Sequence, residues 1–231
     1  MKKMCVLAMM AALGTSGSIA AEPSFEACSG PFTFVESTAT YEDFDFWLGE
    51  WQVVTREGGE LRGFDEIKTI HDGCVLMQQW HQMDDLFSLN ESPNRLRGTS
   101  LTGIDASGKW RQLWTDNTGS NMILTGGIED GVMILRSEWF DVPRQSGGTV
   151  KVRNIWYWKP QEDGSIHNWG EQQRDSAEGP RTQYFDIVYR RAVKGGPAFN
   201  LRTPKPAEYS KPRSAAKDFR LRSWLRWLAW A

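Results

Sequence analysis

From Trp51 to Arg191 a glycine-bearing turn interrupts the chain every eight to twelve residues, and no other feature restricts its architecture as much. Glu57-Gly58-Gly59, His71-Asp72-Gly73, Asn117-Thr118-Gly119, Glu129-Asp130-Gly131 and Asp163-Gly164 are examples. Each supplies a residue able to take positive φ, most beside an Asn, Asp or Ser. The intervening runs are rich in Val, Ile, Thr, Tyr and Trp and number eight to ten, the pattern of short β-strands. Strands linked by so few residues lie side by side, so the topology is a meander. A meander of that length either exposes unpaired edges or closes on itself, and closure removes the edges. The expectation is an all-β chain: an antiparallel up-and-down β-barrel of 8–10 strands over residues 41–193. At about eight strands such an interior is filled by side chains or holds one small ligand.

Alternation decides which side chains share a face. Trp110, Gln112 and Trp114 share one; so do Val150, Val152, Asn154, Trp156 and Trp158, and so do Cys74, Leu76, Gln78, Trp80 and Gln82. At the entry to the first strand, Phe44-Asp45-Phe46-Trp47-Leu48-Gly49-Glu50-Trp51 packs aromatic bulk around one glycine. Gly49-x-Trp51 with Arg190 or Arg191 on the last strand is a means of closing a small barrel: the indole plugs one end and a guanidinium stacks across its face. Asp45 and Glu50 stand where they can cap a short helical turn at Phe46-Trp47-Leu48.

Six separated motifs run in order: Phe44–Trp51, Asp72-Gly-Cys-Val-Leu76, Gly98-Thr-Ser-Leu101, Lys109-Trp-Arg-Gln-Leu-Trp-Thr-Asp116, Gly126-Gly-Ile-Glu-Asp-Gly131 and Tyr189-Arg190. Together they resemble a secreted bacterial family known as domain of unknown function 1579, over roughly residues 41–192. Through Gly49-x-Trp51 and the late arginine, the family is in turn similar to the calycin barrels (lipocalins, streptavidin, nitrobindin). The resemblance implies a lipocalin-like fold and no established activity.

Residues 1–20 read as a signal peptide: Lys2 and Lys3, an apolar run from Met4 to Leu13, and small residues around Ala20, where cutting is expected. The mature chain is therefore expected outside the cytoplasm, in the periplasm or beyond. Cys5 leaves with that segment, and Cys28 and Cys74 remain as one possible disulfide between the lead at 21–40 and the barrel. Charge is uneven. Residues 4–193 carry sixteen Lys/Arg against twenty-seven Asp/Glu, whereas residues 194–231 carry nine against two. An acidic body with a basic end suggests self-docking or an anionic surface, and argues against a nucleic-acid partner. Residues 194–214 form a Pro/Gly linker, and 215–231 a short basic amphipathic α-helix suited to lie on anionic lipid. The alternative for that helix is a cover over the acidic barrel.

Nine of the twelve tryptophans lie in the barrel segment, and several share faces with amides. A buried amide needs partners, which a lined cavity supplies and an apolar core does not. Gln78, Trp80, Trp110, Gln112, Trp114, Asn154 and Trp156 are therefore the expected ligand wall. The leading function is non-catalytic binding of a small apolar or aromatic molecule in the interior. An enzyme using the same cavity is the alternative, with Asp116 or His167 as acid/base; Asp116 otherwise serves the turn at Asn117. A further alternative is an envelope-surface adaptor acting through the C-terminal helix. No metal spacing is present among the three histidines, and no cofactor is expected. Haem ligation by His167 or His81 is a minor option suggested by the likeness to nitrobindin.

Overall fold

The computed structural model of the chain describes residue 28 and residues 39–84, 95–144 and 146–192. The expected signal peptide (1–20), most of the lead (21–40), and the expected linker (194–214) and C-terminal helix (215–231) lie outside the described residues.

The chain forms one antiparallel sheet of eleven strands. A 3-10 helix (Tyr41–Trp47) leads into β1 (Gly49–Thr55), β2 (Leu61–Ile70), β3 (Val75–Gln82), β4 (Arg97–Ile104), β5 (Trp110–Asp116) and β6 (Asn121–Glu129). Then come β7 (Val132–Ser137), β8 (Phe140–Pro143), β9 (Thr149–Pro160), β10 (Ile166–Arg174) and β11 (Arg181–Arg191). Ten strands close on themselves in the order β1-β2-β3-β4-β5-β6-β7-β9-β10-β11, and β11 returns to β1 with Trp51 opposite Arg191. The extra strand, β8, continues the line of β7. Both pair with the twelve-residue β9, β7 along its second half and β8 along its first. The interruption falls at Glu138-Trp139, where the β9 strand outruns the barrel and β8 covers the excess with a small cluster of Phe140, Val142, Val150 and Val152.

Turn chemistry sets the meander. His71, Asp72 and Asp130 take positive φ beside Gly73 and Gly131, the backbone that tight hairpins require. Alternation is regular on β3 and β5, whose buried residues are Leu76, Gln78, Trp80 and Gln82, and Trp110, Gln112 and Trp114.

The 3-10 helix stops one end. Thr40 and Asp43 form its capping box, with Thr40 N–H donating to Asp43 Oδ2 at 3.0 Å. Asp43, not Asp45 or Glu50, does this, because it alone sits three residues after the cap. Trp110 Nε1 donates to the same carboxyl at 3.2 Å and ties the helix to β5. Phe44 and Trp47 enter the barrel fully buried and pack edge-on or tilted against Trp110, Trp158 and Tyr189, with centroids 5.4–6.3 Å apart. Trp51 lies beneath them, its Nε1 donating to Trp47 O at 2.8 Å. The Arg191 guanidinium stacks over the Trp51 ring at 3.9 Å and donates to Leu48 O at 2.5 Å. Gly49, at φ 125°, leaves the room: a Cβ there would lie 2.2 Å from Arg191 Nη1. Arg190 is exposed and points away. A Cys28–Cys74 disulfide fastens the lead to the β2–β3 turn at this same end.

Candidate functional site

Above the plug, the inward rows of β2 to β5 carry polar side chains where a solid core would carry aliphatic ones. Asp65 has no exposed surface, and its Oδ2 accepts from Gln78 Nε2 at 2.6 Å and from the Tyr189 hydroxyl at 2.8 Å. Gln78 Oε1 accepts from Ser100 Oγ at 2.8 Å. Gln112 Nε2 donates to Ser100 Oγ at 3.3 Å and to Thr102 Oγ1 at 3.0 Å. The result is one hydrogen-bonded belt across four adjacent strands, joined to β11 through Tyr189. Burial pushes the Asp65 carboxyl up to about 7, against the lowering effect of its bonds to Gln78 and Tyr189. Burial, with the Asp65 charge behind it, raises the Tyr189 phenol well above its usual value.

The belt is not fully satisfied. Asp65 Oδ1 and Gln112 Oε1 are buried with no hydrogen-bond partner, as is Gln82 Oε1 higher on β3. The other such atoms among the described residues are Trp47 Nε1 and Trp158 Nε1 in the plug, and Arg174 Nε near the β9 extension. Buried polar atoms without partners are uncommon and costly.

At the end away from the helix the lining is aromatic. Trp114 and Trp156 meet edge-on at 5.8 Å, and Trp156 also packs edge-on against Phe185. Trp156 Nε1 donates to the Tyr184 hydroxyl, and Asn154 Nδ2 lies 3.1 Å from Met122 Sδ. Three rings lie over glycines of the neighbouring strand: Trp80 over Gly63, Trp114 over Gly98 and Phe185 over Gly170. A Cβ on Gly98 would come within 2.1 Å of the Trp114 ring, so these rings lean into the wall where a side chain would otherwise stand. Trp156 remains only partly buried.

Of the residues singled out by sequence, Gln78 and Gln112 are in the belt. Trp80, Trp114, Trp156 and Asn154 line the far end, and Trp110 belongs to the plug. Asp116 is committed to its turn: Oδ2 accepts from Trp114 Nε1 at 2.9 Å, and Oδ1 from Thr118 N at 2.9 Å and Ser120 N at 3.3 Å. His167 alternates with buried Ile166 and Asn168 and faces outward. It stacks on Trp169 with centroids 4.4 Å apart, with Nε2 2.7 Å from Asp186 Oδ1. His81 likewise alternates with buried Trp80 and Gln82, and burial and the nearby Arg97 lower its pKa. Neither imidazole shares the interior with the tryptophans. Among the described residues, no group of three His, Cys, Asp or Glu is placed to hold a metal ion. Sequence reasoning missed Asp65, Ser100, Thr102 and Tyr189. The available signal was Gly63, Asp65 and Ile67 alternating on β2.

A second concavity lies on the outer wall. Leu101, Leu113 and Ile123 face one another across β4, β5 and β6, each about two-fifths exposed or more (42%, 39% and 46%). They border a groove of about 330 Å³ that Asp105 and Arg111 flank. No protein-family model matches the chain, and no curated protein matches it significantly.

Proposed function

We propose that this is an exported, calycin-like barrel that binds a small, partly aromatic or apolar molecule without transforming it, between the polar belt and the unplugged end. The single observation that carries the reading is the treatment of the aromatic rings at that end. Trp80, Trp114 and Phe185 rest over Gly63, Gly98 and Gly170, so large flat surfaces line the wall without standing across the axis. Indole faces suit flat, weakly polar ligands. The plug confines the site to this end, since Phe44, Trp47, Trp51, Trp110 and Trp158 already occupy the other. The Arg191–Trp51 stack and the closure of ten strands support the kinship read from the six motifs. The Cys28–Cys74 disulfide supports an oxidising compartment. A catalytic role for Asp116 or His167 has less behind it, because the turn consumes the Asp116 oxygens and His167 is outside.

Saturation-transfer NMR with toluene on the full chain tests the proposal. Saturable binding that weakens about five-fold or more in Trp156→Ala is expected. A chain that gives no saturable signal, or one indifferent to Trp156, defeats it. The outer groove favours a second reading, a surface adaptor, for which Leu113→Lys is the probe. That reading predicts loss of a co-purifying partner with toluene binding intact.

A further inference from the structure

Resting on that interior reading, the geometry points to the chemical class of the ligand: it carries N–H or O–H donors on a flat apolar body, an amidinium or amine fitting best, and Asp65 Oδ1 and Gln112 Oε1 receive them.

The argument is one of unmet capacity. On the inward rows of β2 to β5, the atoms left without a partner are all acceptors: Asp65 Oδ1, Gln82 Oε1 and Gln112 Oε1. Most donors of the belt are used. Gln78 and Gln112 give their amide hydrogens to Asp65, Ser100 and Thr102, Gln82 gives its own to Asp84, and Tyr189 gives its hydroxyl to Asp65. With Asp65 ionised, what the belt has to offer, besides the second amide hydrogen of Gln78 and the Thr102 hydroxyl, is lone pairs at Asp65 Oδ1 and Gln112 Oε1. An acceptor-only ligand such as a carboxylate meets repulsion there, whereas a donor ligand completes the network.

Charge sharpens the choice. Asp65 has no exposed surface, and the two side chains bonded to it, Gln78 and Tyr189, are neutral donors. The backbone N–H of its chain neighbour Glu66 favours ionisation, while the Glu66 charge opposes it. A carboxylate buried this way gains most from a positive or strongly polarised donor, because a charge-assisted bond is about twice as strong as a neutral one. The unpartnered donors Trp47 Nε1 and Trp158 Nε1 do not offset this, since the rings of the plug pack around them.

Three probes of one size separate the possibilities: toluene (ring only), benzamidine (ring with planar donors) and benzoate (ring with acceptors), each titrated at pH 8 against the full chain. The expected result is benzamidine at least about ten-fold tighter than toluene, and benzoate no tighter than toluene. In Asp65→Asn the benzamidine-to-toluene ratio is expected to fall to near one, and in Gln112→Met by several-fold. If Asp65→Asn does not fold, Gln112→Met decides alone. Benzoate binding as well as benzamidine, or a ratio untouched by the folded variants, overturns the inference while leaving the interior site standing. Failure of all three probes to bind removes the interior reading and this one with it.

Discussion

Trp47 and Trp156 are both indoles on the inner side of the barrel, yet Trp47 has no exposed surface and Trp156 keeps some. The ring neighbours of Trp47 are Phe44, Trp158 and Tyr189, brought together from the 3-10 helix, β9 and β11. Those of Trp156 are Trp114, Trp158 and Phe185, and two of these three sit at the unplugged end. The difference teaches that aromatic content does not decide between a core and a site. What decides is whether a further element enters to complete the packing. At one end the helix does so; at the other, glycines opposite the rings draw them outward.

The contrast is sharpest in truncation. Trp47→Ala is expected to cost about 3–5 kcal/mol, the usual range for a large buried aromatic, and Trp156→Ala less than half of that. Urea denaturation of both variants measures the gap, and equal costs would erase the distinction between the two ends. The next effect lies between them, at Asp65. Its carboxyl titrates near 7 in the fold, above the ordinary value near 3.9 of an unfolded chain. The folded state therefore holds the proton more tightly. Stability from this group is complete below about pH 4 and is lost as pH rises to about 7, by up to about 4 kcal/mol. Subtracting the pH profile of Asp65→Asn from that of the wild type isolates this loss. Asp105 and Glu129, whose pKa values are lowered by their partners, act in the opposite sense and only at more acidic pH. A difference profile flat from pH 4 to pH 8 would mean that the belt does not hold a proton.

The disulfide at the plugged end spans 46 residues. Its removal in Cys74→Ala is expected to cost about 2–4 kcal/mol, read as a lower thermal midpoint, with toluene binding unchanged because the bond is far from the open end. Smallest is Arg191→Met, which keeps the stem over Trp51 and removes the charge. It should cost about 0.5–2 kcal/mol. A larger loss would show that the guanidinium bond to Leu48 O matters more than the stack.

Much of this was legible beforehand because strands print their faces on the sequence. Trp110, Gln112 and Trp114 alternate cleanly with Arg111 and Leu113, and so does the β3 row from Leu76 to Gln82. Asp65 was not legible for a physical reason. It stands next to Glu66 in an otherwise mixed strand, and adjacent acids read as solvent-facing; only Tyr189, 124 positions away, shows which of the two is inside. His167 was chosen for its chemistry rather than its position, although Ile166 and Asn168 on either side already marked it as outward. The break between β7 and β8 was hidden because Glu138 and Trp139 carry no turn residue. It arises from the length of β9, which only pairing reveals.

The seam between β1 and β11 carries a consequence for how the molecule comes into being. The bond from Arg191 to Leu48 joins residues 143 positions apart, and Ala192 N–H donates to Glu50 O beside it. The earliest strand thus waits for the latest before its edge is covered. Every strand from β1 to β11 must be in place before this ring can lock, and distant pairing of that kind is slow. Until then the outer edge of β1 stays unpaired, a row of backbone donors and acceptors on which another strand can add.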